Sequence, residues 1–138
     1  MAGVKLCTSG VLESLLVYIR DKCTQFQIHV QSSSSPLVLA GCASGSTDCL
    51  VITTGGPGGA YPTTAYLTSG TSGNNQWMQI AACSCDTVIH TGMAANICIV
   101  VGAASSDVIY ATTCTTQDLT ATSKCNIGSW SITVNQPT

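Results

Sequence analysis

Charge is what this chain has least of. Asp, Glu, Lys and Arg make up 7% of its 138 residues, against roughly a quarter in an ordinary globular protein. Hydrophobic residues stand at 45%, so Ser, Thr, Gly and Asn fill the deficit. Disorder needs low hydrophobicity with high net charge, and this composition is its opposite. Four cations, Lys5, Arg20, Lys22 and Lys124, are scattered along the chain. Nucleic-acid affinity rests on several Lys or Arg neutralising phosphates, so neither DNA nor RNA is expected as a partner. No apolar run reaches the 18 or so residues that span a bilayer, so no membrane is expected either. An export signal is not expected: the first apolar stretch holds Glu13 and runs straight into Arg20-Asp21-Lys22.

A surface of short hydroxyl side chains costs little side-chain entropy to immobilise against a neighbour. That favours a structural subunit of an assembly, and the length fits a single domain spanning residues 1–138.

Cysteine is what the chain has in excess: Cys7, Cys23, Cys42, Cys49, Cys83, Cys85, Cys98, Cys114 and Cys125. Such density normally marks a disulfide scaffold. With no leader expected, it fits a particle assembled reduced in the cytosol and oxidised after release. Cys42 and Cys49 enclose a short Gly/Ser-rich loop and form the best intrachain disulfide candidate. Cys7 and Cys23 flank a helix and Cys125 lies in a polar loop, so these three are the candidates to reach another subunit. Cys83 and Cys85 point to one face of a strand and suit different partners. Cys98, inside an apolar run, reads as a small core residue, and Cys114 is left unassigned. A set of unoxidised surface thiols is the plain alternative to all these pairings.

Val11, Leu12, Leu15, Leu16 and Ile19 recur at helical spacing with Ser9 as N-cap, predicting an amphipathic helix over about 10–22 whose packing face they form. The remainder, 25–138, reads as β-rich. Phe26, Ile28 and Val30 alternate with Gln27, His29 and Gln31 as in a half-buried strand. Further strands are predicted at 37–40, 50–53, 77–83, 86–90, 95–101, 108–112 and 130–134. Ile97 to Val101 is continuously apolar and is predicted to be a central strand buried on both faces. The Gly/Thr-rich stretch of about 55–75 reads as a loop or arm, with an edge hairpin as the alternative over 63–75. The expected fold is mainly β: an antiparallel β-sandwich or small barrel with one N-terminal amphipathic helix.

Chemistry finds little to hold. Gly55-Gly56-Pro57-Gly58-Gly59 is not followed by the Lys that a phosphate-binding loop needs, and reads as a turn. Asp86 and His90 sit about 13 Å apart at strand rise, and no Gly-x-Ser-x-Gly elbow marks a nucleophile. Cys83-Ser84-Cys85 lacks the two-residue spacing of a zinc knuckle, and His29 and His90 have no nearby ligand pair. The expectation is no enzyme, no metal and no cofactor.

The opening Val4-Lys5-Leu6-Cys7-Thr8-Ser9-Gly10 with the helix ending Tyr18-Ile19-Arg20-Asp21, the middle Thr91-Gly92-Met93-Ala94-Ala95-Asn96-Ile97-Cys98-Ile99-Val100, and the closing Tyr110-Ala111-Thr112-Thr113-Cys114-Thr115-Thr116-Gln117-Asp118-Leu119-Thr120 with Trp130-Ser131-Ile132 together resemble a family of small tailed-bacteriophage virion proteins. The resemblance covers about half the chain. It implies a head decoration or cement protein, made in the host cytoplasm, bound over major capsid protein as a trimer with copies of itself. It carries no catalytic residues. The extra cysteines and the Gly/Thr-rich centre depart from the pattern. A neck, collar or tail-fibre subunit, or a host-surface carbohydrate-binding module, are the alternative readings.

Overall fold

The computed structural model describes residues 9–32, 46–53, 61–101 and 107–135. Helix α1 (Ser9–Val17) passes into a π-helical turn over Tyr18–Lys22. Then come β1 (Gln25–Ser32), β2 (Cys49–Ile52), β3 (Tyr61–Pro62), the single turn α2 (Thr63–Tyr66), β4 (Leu67–Ser72), β5 (Asn75–Ile80) and β6 (Cys83–Thr87). They are followed by β7 (Gly92–Val101), β8 (Asp107–Leu119), β9 (Lys124–Ile127) and β10 (Trp130–Val134). The described residues are mainly antiparallel β and sandwich-like, with no closed barrel among them, so the sandwich form of the expectation holds. The predicted strand at 37–40 and the Gly55–Gly59 turn lie outside the described residues.

The largest sheet has the order β2-β1-β7-β8, with β3 also paired to β1. A second sheet runs β10-β5-β4, and β6 and β9 form a two-stranded ribbon. Alternation sends Phe26, Ile28 and Val30 from β1 and Ile97 and Ile99 from β7 into one core. From the second sheet Leu67, Met78, Ile80 and Ile132 enter the same core, and Leu16 and Ile19 of the helix segment complete it. Each fully buried side chain of this size contributes about 1.5–3 kcal/mol of transfer free energy. β7 is central and buried, as its unbroken apolar run predicts.

Three expectations change. β1 is not half-buried: Gln27, His29 and Gln31 on its other face are buried as well. Across from them on β7 stand Val100, Cys98 and Asn96, and Cys98 and Val100 form a small second cluster with Val108 and Ala111. Buried polar groups must find partners. Accordingly, His29 Nε2 lies 3.0 Å from Gln27 Oε1, and Asn96 Nδ2 donates to the Ser32 carbonyl at 3.2 Å.

The described part of the supposed 55–75 loop, residues 61–75, is built into the fold, and its edge-hairpin alternative is what forms. β4 pairs along its whole length with β5 around Gly73-Asn74. Gly73 has φ +60°, the left-handed conformation that a two-residue hairpin turn with Gly at its first central position requires.

Cys125 is in a strand and not in a loop. β9 pairs with β6, opposing Cys125 to Asp86. The turn leading into it holds Thr122 at φ 70°, a costly conformation for a β-branched residue. Two backbone hydrogen bonds to Val88 fix it: Thr122 N–H to the Val88 carbonyl at 2.8 Å, and Val88 N–H to the Ser123 carbonyl at 3.0 Å.

Candidate functional site

The candidate sites are the outer side of the helix and a cavity lined by two thiols. The five predicted packing residues of the helix divide. Leu12, Leu16 and Ile19 are buried, whereas Val11 and Leu15 are 61% and 45% exposed, which corrects their place on the packing face. The physical reason is angular. Five apolar residues cover more of the helix than the groove against β5 accepts, so the i, i+4, i+7 row turns outward. Tyr18, 54% exposed, extends that row to Val11–Leu15–Tyr18.

The same helix is pinned from its charged side. Arg20 meets Asp21 at 2.6 Å, Glu13 at 3.2 Å and the Ser69 hydroxyl of β4 at 2.6 Å. These contacts, the Asp21 hydrogen bond foremost, push the guanidinium pKa further up, so one of the four cations is committed to orienting the helix.

The cavity, about 340 Å³, lies between β8 and the segment Cys125–Trp130, with Val30, Ala94 and Ile97 along its apolar wall. Cys114 and Cys125 both line it. Cys114 is brought there by an irregularity in β8. Asn96 pairs with Thr113 and Ala94 with Gln117, so Cys114, Thr115 and Thr116 lie opposite the single residue Ala95. Bulges of this kind bend a strand and re-aim its side chains. A second bulge, on β6 between Cys83 and Asp86, sets the register that opposes Cys125 to Asp86. The Trp130 ring closes one end, stacked on Tyr110 with centroids 6.0 Å apart.

Burial pushes both thiols above their ordinary pKa, with the neighbouring Cys125 adding to the shift at Cys114 and Asp86 to that at Cys125. In the core, Tyr61 and Cys83 are both buried, the Cys83 Sγ 3.7 Å from the Ala81 carbonyl oxygen. Burial raises both of these groups too. A protonated thiol is a poor nucleophile at neutral pH. The histidines are engaged at other places, His29 with Gln27 and His90 through Nδ1 at 2.9 Å from the Cys49 carbonyl oxygen. Asp86 and His90 therefore form no dyad: Asp86 is buried beside Cys125, and His90 turns to β2. Among the described residues no three His, Cys, Asp or Glu side chains come together to hold a metal ion, and no helix is long and apolar enough to cross a membrane.

Some of the other cysteines depart from expectation. Cys49 is a free thiol, fully buried on β2 with Sγ 3.7 Å from the Val51 carbonyl oxygen, so the disulfide to Cys42 is not formed. Burial pushes its pKa up to about 11. Cys23 is free and buried, its Sγ 3.7 Å from the Tyr18 carbonyl oxygen, and so faces the interior and not another subunit. Cys125 is a free, half-buried thiol lining the cavity. Cys98 is fully buried in a core cluster, as its apolar run predicts, and is in addition disulfide-bonded. Cys7, Cys42 and the side chain of Cys85 lie outside the described residues.

The sequence does not single out Cys114 with Cys125, because their meeting depends on the β8 bulge. No protein-family model matches the chain, and neither the curated proteins nor the solved structures hold a significant match to it.

Proposed function

We propose that the chain is a structural subunit of a tailed-bacteriophage virion, a decoration or cement protein seated on the head and bound to major capsid protein and to copies of itself. The observation that carries this reading is the outward row Val11–Leu15–Tyr18 on a helix that already has a buried face. Large apolar side chains aligned on one exposed helix face mark a docking surface. The low charge supports the same reading, since Ser- and Thr-rich surroundings are cheap to bury beside such a row. Among the described residues β8 is an edge strand, and its bulges at Ile109 and at Cys114–Thr116 interrupt the row of backbone groups that could template open-ended pairing.

The test is co-sedimentation of the purified chain with shells of major capsid protein. Wild type pellets with the shells at saturating stoichiometry, whereas Leu15→Asp and Tyr18→Ser stay folded and remain in the supernatant. Equal binding by all three proteins, or none by wild type, contradicts the proposal.

One observation favours the alternative of a glycan-binding module. A shallow depression of about 430 Å³ on the outer face of the β10-β5-β4 sheet sets Trp77 among Ser72, Asn75, Gln79, Ser131 and Thr133. An aromatic ring ringed by hydroxyls and amides suits a sugar face. Binding on a glycan array that is lost in Trp77→Ala would establish it.

A further inference from the structure

We infer that Cys114 and Cys125 are a latent disulfide: a dithiol site that a small-molecule disulfide oxidises, tying the edge strand β8 to β9 across the cavity. Three observations converge. The two residues come from different strands, yet line one cavity of about 340 Å³. The β8 irregularity that places Cys114 there puts three residues opposite one and so re-aims the strand's side chains. Both thiols are free and only partly buried.

Their surroundings distinguish this pair from the other free thiols. Cys49, Cys23 and Cys83 are each buried with Sγ 3.7 Å from a backbone carbonyl oxygen. Cys114 and Cys125 alone among the free thiols share an opening, whose rim residues Thr115, Gln117 and Asn126 are exposed, so a reagent can enter.

The reaction balances with oxidised glutathione as the oxidant. One cysteine, as thiolate, attacks a glutathione sulfur; the glutathione S–S bond breaks, a mixed disulfide forms and one glutathione leaves. The second cysteine attacks the protein sulfur of that mixed disulfide, forming the Cys114–Cys125 bond and releasing the second glutathione. The two thiol protons end on the two glutathiones. Because burial holds both thiols protonated, closure is slow at neutral pH and accelerates as the pH is raised. The inference concerns the interior of one subunit and does not depend on the virion proposal, whose failure would leave it untouched.

The experiment is peptide mapping of the isolated full chain, reduced and then treated with oxidised glutathione at pH 7 and pH 9, with free thiols blocked before digestion. The expected result is a Cys114–Cys125 cross-linked peptide that forms faster at pH 9, loss of these two thiols from the free pool, and a higher thermal midpoint in the oxidised chain. In Cys125→Ser the cross-link is lost and Cys114 is recovered as its glutathione adduct. Recovery of both cysteines as free thiols or separate glutathione adducts in wild type, or a cross-link of either to Cys83 or to a second chain, would overturn the inference. Mapping the wild type needs no substitution, so a variant that fails to fold leaves the result decisive.

Discussion

Raising the pH should unfold this protein through its buried thiols, and Cys49 gives the magnitude. Its pKa is pushed from an ordinary value of 9.0 to about 11 by burial. The unfolded chain therefore loses this proton at a lower pH than the folded one. The stabilisation is complete below pH 9 and disappears as the pH rises through about 11. Two pK units correspond to at most about 3 kcal/mol, a large share of a typical domain stability of about 5–15 kcal/mol. Cys23, Cys83, Cys114 and Cys125 are all shifted in the same direction by burial, and so is Tyr61, so the wild-type loss exceeds the Cys49 share. The assay is urea unfolding at intervals from pH 7 to pH 10.5 with a phosphine reductant present. The urea midpoint should be flat to about pH 8.5 and then fall by about 1 M or more. Cys49→Ala should start from a lower midpoint but fall less steeply above pH 9. A variant whose midpoint falls in parallel with wild type would refute the reasoning, because the proton released on unfolding would then not be that of Cys49.

Three further outcomes follow from contacts in the fold. Gly70→Ala would bring a Cβ to 2.8 Å from Trp77 Cζ2, forcing the ring off β4; a loss of about 1–3 kcal/mol and altered tryptophan fluorescence are expected. Leu16→Asp places a carboxylate in the core and should leave the chain unfolded by circular dichroism, whereas Leu15→Asp, one residue earlier and exposed, should melt within about 1 kcal/mol of wild type. Arg20→Met should cost less than about 1 kcal/mol in urea unfolding, because its ion pairs with Glu13 and Asp21 are partly open to solvent.

The elements readable in the sequence were those whose apolar pattern has one interpretation. Ile97–Val101 could only be a buried strand, and Leu12, Leu16 and Ile19 do form a helical core face. Where one pattern allows two arrangements, packing decides. The same helical spacing takes in Val11 and Leu15, and only the width of the groove against β5 shows that they point outward. β4 and β9 are too polar to announce themselves, as Leu67-Thr68-Ser69-Gly70-Thr71-Ser72 and Lys124-Cys125-Asn126-Ile127 show; each is held by its partner strand. β8 extends past Thr112 to Leu119 for the same reason. Gln27, His29 and Gln31 look like a solvent face because their burial is imposed from outside β1. The thiol cavity was the least legible feature. Cys114 and Cys125 have no telling spacing, and a strand irregularity leaves no mark on the hydrophobic pattern.

The central claim is that this chain is built into the outside of a phage head, and a density map of the purified particle that encodes it, with subunit copy number from quantitative mass spectrometry, tests it most directly. The account predicts the chain on the outer surface of the shell, in numbers comparable to the major capsid protein, with Val11, Leu15 and Tyr18 covered by a neighbouring subunit. Absence of the chain from the particle, a location confined to the neck or tail, or a helix row left facing solvent would contradict it.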